Sequence, residues 1–510
     1  MGERRSRERR DLRCAAVTGM AVLMMLLGFA GTAAAAPISN FPPTPSLPAY
    51  SGSAADSQPV EDYRRPPQNP FLAKNPFSNI HNDTWMTDAY PGPGPTGLNP
   101  VTASGSGGPG ICATLATDQR GRLVSVCPSI VAPPQARIID PDTLETIATY
   151  DLPDGPPLGD TPAFQDYTSG GYFFLDERDR IWVPTKTNRL FVLAQTEAGD
   201  GFRLERTFDL SGVANPSRER ISSVLPDFRG RIWFVTKQSG TVGTIERRTG
   251  KIRTIRLKER VQNSFAIDSG AVYIASDRRL HRLWAGRDGR PRIEWSVRYR
   301  NTGKTKPGQA DAGTGTTPTI LRGGLISITD NADPMNVVVY RTGRKLARGL
   351  QRKVCEVPVF GKGAGASENS LIGIGRSLIV ENNYGYRDPF NPETVNAITE
   401  PGFARVDIAR NGKSCRKVWT NSEVRAPTVV PKMSAETGLI YAYTRPPDPS
   451  GALGYYWTAI DYRTGRTVFE RFAGSGLLYN NNYAGITLAE DGTAYLGVIG
   501  GVVSLRDGGT

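Results

Sequence analysis

The sequence has 510 residues and a formal net charge of +13, with 62 Lys and Arg against 49 Asp and Glu. Its two histidines exclude a His-rich metal centre, and its 56 glycines and 39 prolines follow no collagen period and so indicate many turns. The basic charge favours anionic partners such as acidic polymers, phosphates or carboxylate ligands, although solubility alone also explains it.

Residues 1–36 have the pattern of an export signal peptide. A basic stretch ends at Arg13, residues 15–30 are apolar, and residues 33–36 are small enough for cleavage. The apolar run is short for a membrane span. The run Arg9-Arg10-Asp11-Leu12-Arg13 looks like a twin-arginine signal, which exports folded proteins, or is an ordinary basic region. We therefore expect a secreted, extracytoplasmic protein with no stable membrane span after cleavage.

The next two segments precede the regular part of the chain. Residues 37–80 are rich in Pro, Ser and Asn and predict a linker that cannot build a core of its own. Residues 81–110 are expected to lead into the folded domain, which we place at residues 111–510. That domain consists of short β-rich runs separated by Gly, Asn and Asp, with almost no sustained helical period.

The β-rich runs recur as a unit of four strands. The clearest copy has strands over residues 221–225, 231–235, 242–246 and 252–257, with a turn at Asp227 to Gly230 between the first two. This arrangement is an antiparallel meander. Its second strand recurs at spacings of roughly 40 to 60 residues, which is typical of propeller blades. The eight positions are Leu123, Ile181, Ile232, Val272, Leu325, Ile379, Ile440 and Ala494.

A closed ring of blades covers the edge strands of each meander, so the sequence predicts an all-β propeller. We expect about eight four-stranded antiparallel blades, with seven as the alternative. The last unit has only three strands before Thr510. A segment before Cys112, within residues 84–105, could supply the missing fourth strand and join the two ends of the ring.

Four cysteines remain after signal cleavage, which suggests two disulfides in an oxidising compartment. Cys112 and Cys127 flank a predicted hairpin turn symmetrically and should face each other on paired strands. Cys355 and Cys415 then pair by elimination and would link the outer strands of two successive blades.

The turn between the third and fourth strands also repeats. Its best copy is residues 459–469, Ala-Ile-Asp-Tyr-Arg-Thr-Gly-Arg-Thr-Val-Phe. This copy resembles the repeat of the pyrroloquinoline-quinone (PQQ) propellers, a quinoprotein-like family. The resemblance implies either a PQQ-type oxidoreductase or a cofactor-free scaffold. The adjacent cysteine pair that stacks on the cofactor in that family is absent here.

A ligand site is expected where the loops leading into the innermost strands collect at the mouth of the channel. The candidate binding residues there are Asp166, Arg220, Asn263, Glu368, Asn369, Arg425 and Asn481. Four of them offer oxygen ligands for Ca²⁺, namely Glu368, Asn369, Asn263 and Asp166. That set looks like the calcium lactonase and gluconolactonase propellers, but Asn and Asp are also common loop residues.

Two other features bear on function. Arg220 and Arg425, with Lys186 and Lys237, could hold a carboxylate-rich cofactor or an acidic glycan, or could be solvated loop charges. The polar and aromatic run of residues 78–90 could reach over the channel and place His81, Asp83 and Trp85 there as a lid or plug.

The sequence singles out no catalytic residue, and three functions stay open. The first is a binding or scaffold module for a secreted protein, a glycan, an anionic small molecule or a wall polymer. The second is a PQQ-type oxidoreductase, and the third is a calcium-dependent lactonase or hydrolase. No nucleic-acid partner is expected.

Overall fold

The computed structural model describes residues 34–108, 110–129, 131–159, 170–391 and 393–509. These residues form β-strands, turns and a single turn of 3₁₀ helix at Leu477–Tyr479. None of the helical structure in these ranges is long and apolar enough to cross a membrane. The all-β prediction is therefore confirmed.

Three strands precede the first blade: β1 (Tyr50–Gly52), β2 (Ala89–Tyr90) and β3 (Val101–Ser106). The strands of each blade are given from the innermost to the outermost. Blades 1 and 2 consist of β4–β7 (Leu115–Thr117, Leu123–Cys127, Gln135–Ile139, Thr146–Asp151) and β8–β11 (Phe174–Leu175, Ile181–Pro184, Arg189–Gln195, Phe202–Asp209). Blades 3 and 4 consist of β12–β15 (Ile221–Pro226, Ile232–Thr236, Thr241–Ile245, Ile252–Arg256) and β16–β19 (Ala266–Ile267, Val272–Ala275, Arg279–Ala285, Pro291–Arg298). Blades 5 and 6 consist of β20–β23 (Thr319–Leu321, Leu325–Thr329, Asn336–Arg341, Lys353–Pro358) and β24–β27 (Ile372–Ile374, Ser377–Glu381, Phe403–Ile408, Cys415–Asn421). Blade 7 consists of β28–β31 (Lys432–Ser434, Leu439–Thr444, Gly454–Asp461, Thr467–Ser475). Blade 8 contains β32–β34 (Thr487–Leu488, Ala494–Val498, Gly501–Arg506).

These sheets form a ring of eight four-stranded antiparallel blades, so the eight-bladed prediction is confirmed and the seven-bladed alternative is wrong. All eight predicted second-strand positions fall in second strands. The fourth strand of blade 8 is β3, which pairs antiparallel with β34 from Val101 opposite Arg506 to Ser106 opposite Gly501. The ring is thus closed by a strand from the N-terminal side.

Burial explains why the inner strands are almost continuously apolar. Every residue of β12 and β13 is buried, whereas most residues of the outer strand β11 are exposed or half-buried. A strand buried on both faces has no polar side to alternate with, while an outer strand meets water.

The recurring turns have a local chemical cause. In blade 3 the Asp227 carboxylate accepts hydrogen bonds from the backbone N–H groups of Arg229 and Arg231 at 2.8 and 3.0 Å. Gly230 closes that turn at a φ of 81°, which favours glycine. In blade 7 the Asp461 carboxylate receives both the N–H and the hydroxyl of Thr464 at 2.7 Å. The Asp-to-Gly spacing therefore reflects turn geometry.

Both predicted disulfides are present. Cys112 bonds Cys127 within blade 1, across a Cα–Cα distance of 4.2 Å. Cys355 bonds Cys415 across 5.8 Å and joins β23 of blade 5 to β27 of blade 6. The second bond therefore links the outer strands of successive blades.

The predicted linker contacts several blades. Its strand β1 pairs antiparallel with β31, on the outside of blade 7. Further along, the Asn69 side-chain amide donates to the Pro226 carbonyl of blade 3 at 2.8 Å. The Ala73 backbone N–H donates to the Leu175 carbonyl of blade 2 at 2.9 Å.

Residues 77–90, which we call the channel segment, run inside the ring. Strand β2 of this segment pairs in parallel with β28, the innermost strand of blade 7. Backbone N–H groups of six innermost strands donate to its carbonyls. The pairs are Thr117 to Phe77, Leu175 to Ser78, Ile267 to Thr84, Ile320 to Trp85, Gly373 to Thr87 and Met433 to Asp88, at 2.7–3.1 Å. The channel is therefore filled by backbone that the blades hold in place.

Candidate functional site

A cavity opens where the channel segment meets the loops that lead into the innermost strands. The space inside it that the centre of a water molecule can occupy is about 70 Å³. Seven blades contribute a residue that comes shortly before an innermost strand. The cavity is lined by Ile80, His81, Ala113, Gly171, Tyr172, Gln262, Asn263, Ala310, Thr317, Glu368, Asn369, Ser370, Val430, Asn482 and Tyr483.

His81 lines this cavity with one ring nitrogen engaged and the other unpartnered. Its side chain is only 3 % exposed. The Nδ1 atom lies 3.1 Å from Asp88 Oδ1 and 2.9 Å from Ser370 Oγ. The Nε2 atom has no hydrogen-bond partner among the described residues. Because a carboxylate only accepts, we assign the ring proton to Nδ1, which leaves a lone pair on Nε2.

Asp88 is held from three sides in the interior of the ring. The Lys432 ammonium and the Ser370 hydroxyl both donate to its carboxylate, and His81 supplies the third contact. Lys432 also donates to the Ile80 carbonyl. Burial acts to raise the pKa of Asp88, but Lys432 and His81 together hold that pKa below its ordinary value. Asp88 is therefore ionised and balances the charge of Lys432.

Glu368 is the carboxyl group that faces the cavity. Its residue is 7 % exposed, and neither carboxylate oxygen has a hydrogen-bond partner of good geometry among the described residues. Burial raises the pKa of Glu368 well above its ordinary value, and the Ala310 N–H, Lys237 and Asn263 offset only part of that rise. Burial therefore favours the protonated form of Glu368.

Two further carboxyl groups lie in the interior near this site. The side-chain amides of Asn369 and Asn383 both donate to Glu381, whose pKa burial raises to about 8. Asp83 accepts from the Trp85 N–H at 2.7 Å and the Thr87 hydroxyl at 2.5 Å, and burial raises its pKa to about 7. Of the four interior carboxyl groups, Asp88 alone is held firmly ionised.

The channel segment carries backbone conformations that side chains disfavour. Asn82, Met86 and Asp88 have φ values of 77°, 57° and 54°. Each such position costs on the order of 1–3 kcal/mol and persists only where surrounding contacts hold it. Here the hydrogen bonds from the innermost strands supply those contacts, so His81 and Asp88 are presented by a strained and well-anchored segment.

Three of the predicted binding residues come together. Asn263, Glu368 and Asn369 all line the cavity, and Asn263 Oδ1 accepts the Tyr172 hydroxyl at 3.0 Å. Asn481 is buried beside the lining residue Asn482, and its amide oxygen accepts the Thr428 hydroxyl at 3.3 Å.

The other predicted residues are placed differently. Asp166 lies outside the described residues. The Arg220 guanidinium donates to the Pro216 and Pro156 carbonyls and that of Arg425 to Thr399, and neither side chain lines the cavity. Lys186 pairs with Asp154 at 2.9 Å.

Within the predicted lid, His81 lines the cavity. Asp83 and Trp85 belong to the same channel segment but do not line the cavity, and the blades hold the backbone of this part of the segment.

The proposed calcium ligands fit a metal poorly. Over the described residues, His, Cys, Asp and Glu form no group of three that could hold an ion. Burial favours the protonated form of Glu368, and the Asn263 oxygen already accepts a hydroxyl. A hard cation needs charged and available oxygens, so this donor set does not meet its demands.

Sequence reasoning missed several residues that build the site. Asp88, Ser370 and Lys432 together hold His81, and Tyr172 lies across the cavity with its ring centroid 6.2 Å from that of His81. Lys432 interrupts the otherwise apolar run Val-Val-Pro-Lys-Met at residues 429–433. A lone lysine in an innermost strand was the signal available for an interior ion pair.

Comparison with known proteins adds the fold and little more. No known protein-family model matches the chain. An uncharacterized protein of Archaeoglobus fulgidus is 28 % identical over 371 residues, which cover 66 % of this chain and 70 % of that protein. Among solved structures, Sqt1 from Chaetomium thermophilum aligns with a TM-score of 0.50 at 12 % identity, over 79 % of this chain and 97 % of its own. The chain shares the fold of this solved structure. Virginiamycin B lyase from Staphylococcus aureus aligns with a TM-score of 0.39 at 12 % identity, over 67 % and 96 % of the two chains.

Proposed function

We propose that this propeller binds a small, uncharged polar molecule in the cavity above the channel segment. The observation that carries the proposal is the pair of buried, unpartnered polar groups that face the cavity, His81 Nε2 and the Glu368 carboxyl. Leaving such a group without a partner costs roughly 1–3 kcal/mol, so it is expected where a ligand supplies the missing hydrogen bond.

The charge of the lining supports an uncharged ligand. None of the described residues that line the cavity is Arg or Lys, and the Lys432 charge below it is balanced by Asp88. An anionic ligand would therefore lose its hydration without meeting a cationic group in the lining itself, since Lys237, whose charge acts on Glu368, is not among the lining residues. The amides of Gln262 and Asn263 and the phenols of Tyr172 and Tyr483 suit hydroxyl groups. A hydroxylated ring of the size of a monosaccharide fits this chemistry.

The expected location of the protein and its two alternative ligands, PQQ and an anionic partner, bear on the choice of probes. Two disulfides are compatible with an extracellular protein, so we place the ligand outside the cytoplasm. A PQQ-type oxidoreductase, which the repeat at residues 459–469 suggests, would need a site for a tricarboxylate. We keep that cofactor, and the anionic partner favoured by the net charge, as alternatives in the experiment below.

The experiment compares two probes of nearly equal shape and different charge. Thermal unfolding of the secreted protein is measured with methyl β-D-glucopyranoside, with methyl β-D-glucuronide and with PQQ. We expect the neutral glucoside to stabilise the protein, by about 1.4 kcal/mol at ten times its Kd. Glu368→Leu should abolish this effect, and the exposed control Glu393→Gln should keep it. A stronger response to the glucuronide or to PQQ would refute an uncharged ligand.

A further inference from the structure

We infer that the cavity is also a site of general acid–base catalysis, with His81 as the base and Glu368 as the acid in the hydrolysis of an uncharged ester. This inference rests on the proposed binding function and adds a reaction to it. It is carried by the geometry of the two groups: both residues line the same cavity, and Ser370, which contacts His81 Nδ1, follows Glu368 by two residues in the chain.

The contacts of the Nδ1 atom fix the orientation of the His81 ring. Nδ1 of His81 contacts Asp88 and Ser370, and Asp88 is in turn held by Lys432. An aspartate on Nδ1 sets the tautomer and stabilises the imidazolium that forms when Nε2 takes a proton. Asp88 is thus a positioning residue, and Nε2 is the atom that meets the substrate.

Ser370 is not placed to act as the nucleophile of a Ser-His-Asp arrangement. Its hydroxyl donates to the Asp88 carboxylate and lies at Nδ1 of His81, on the side of the ring away from Nε2. A serine nucleophile would have to lie at the nitrogen that accepts its proton. The group that Nε2 activates is therefore a water molecule.

The acid lies in the loop before β24, whose Ser370 contacts the base. Glu368 lies two residues before Ser370, and the Asn383 side-chain oxygen accepts the Glu368 backbone N–H at 2.9 Å. The intervening Asn369 donates its amide to the Val429 carbonyl at 2.8 Å. These bonds anchor the loop on both sides of Glu368, so a small displacement of the carboxyl group relative to His81 is resisted.

The reaction balances with water as the only co-reactant. His81 Nε2 removes a proton from water while the water oxygen forms a bond to the ester carbonyl carbon. The carbon–alkoxide bond then breaks, and Glu368 donates its proton to the departing alkoxide oxygen. The products are a carboxylic acid and an alcohol, and transfer of the imidazolium proton to the Glu368 carboxylate restores both groups.

The first test measures hydrolysis of ethyl acetate by the protein, followed by titration of the acid released, because the departing ethoxide needs the proton that Glu368 donates. We expect His81→Gln and Glu368→Gln each to lower kcat/KM by roughly 10²-fold or more, since general acid–base groups contribute about 10²–10⁴-fold. Glu393→Gln, on the exposed surface, should leave the rate unchanged. Rates equal to wild type in both cavity variants, with glucoside binding retained, would overturn the inference and leave the binding proposal intact. If the wild-type protein does not bind the glucoside, the binding proposal is overturned instead.

The second test reads the tautomer of His81 directly. The chain has two histidines, so ¹⁵N NMR of the imidazoles shows two rings, and His281→Gln assigns them. We expect the His81 proton on Nδ1. In Asp88→Asn the new amide can donate to Nδ1 and move the proton to Nε2, which should remove the esterase rate. The double variant Asp88→Asn/Lys432→Met avoids an unpaired buried lysine and should give the same shift. A proton on Nε2 in the wild-type protein would refute the assignment of His81 as the base.

Discussion

Glu381 should make the stability of this protein fall as the pH rises. Its carboxyl group has a pKa of about 8 in the folded chain against an ordinary value of 4.5, chiefly because it is buried. At a pH between these two pKa values, the carboxyl group has lost its proton in the unfolded chain and still carries it in the folded chain. The free energy of unfolding therefore decreases with pH in this window. With about 1.4 kcal/mol per pKa unit, the loss from pH 5 to pH 8 is on the order of 3–4 kcal/mol from this residue.

The substitution Glu381→Gln isolates that contribution. Its amide oxygen can still accept from Asn369 and Asn383, so packing is preserved while the titrating proton is removed. Urea unfolding followed by tryptophan fluorescence at pH 5, 6, 7 and 8 should show a smaller pH dependence in the variant, by roughly 3–4 kcal/mol over this range. Asp83, with its pKa raised to about 7, keeps part of the decline in both proteins. Parallel curves for wild type and variant would refute the burial argument, and Glu393→Gln, an exposed residue, serves as the control.

Two further predictions concern stability. Lys432→Met should cost roughly 3–5 kcal/mol in urea unfolding because it leaves Asp88 charged and unpaired in the interior, and adding Asp88→Asn should recover most of the loss. A double variant no more stable than Lys432→Met would show that the ion pair is not the cause. Replacing Cys355 and Cys415 by Ser should cost about 1 kcal/mol more than replacing Cys112 and Cys127. The reason is that the Cys355–Cys415 disulfide spans 60 residues, whereas the Cys112–Cys127 disulfide spans 15. Equal costs in calorimetry would contradict this loop-entropy reasoning.

The fold could be predicted from the sequence because its signals are local and repeat. Each second strand is a short apolar run followed by a turn, and eight such runs are spaced evenly enough to reveal the period. The missing strand of blade 8 could be inferred because an unpaired edge is unfavourable. The pairing of Cys355 with Cys415 followed by elimination, and the structure places both residues in outer strands of neighbouring blades.

The site could be located only in part. Asn263, Glu368 and Asn369 were found because each comes shortly before an innermost strand, and such positions meet at one face of a propeller. Arg220 and Arg425 occupy similar loops, yet their long side chains turn to backbone carbonyls. That choice depends on carbonyls left unpaired by distant segments, which a sequence pattern does not encode.

The channel segment was the hardest part to predict. Its position depends on carbonyl groups, which every residue type has, so its contacts with Ile267, Ile320 and Gly373 leave no trace in composition. The left-handed backbone at Met86 is likewise disfavoured locally and is imposed by the surrounding blades. His81 could be noticed as an unusual residue, but its role depends on Asp88 and Lys432, which only the fold brings to it.

The net charge of the chain and the charge of its cavity favour different ligands, and the two arguments act over different distances. Surface charges attract anions through water, over about 8 Å at physiological ionic strength. Inside the cavity a ligand must give up its hydration, so only groups in direct contact decide binding. Those groups are amides, phenols, an uncharged Glu368 and a His81 whose own partner charge is already balanced by Lys432. The basic net charge, which persists without residues 1–36, can therefore hold the protein at an anionic surface while its cavity selects an uncharged molecule.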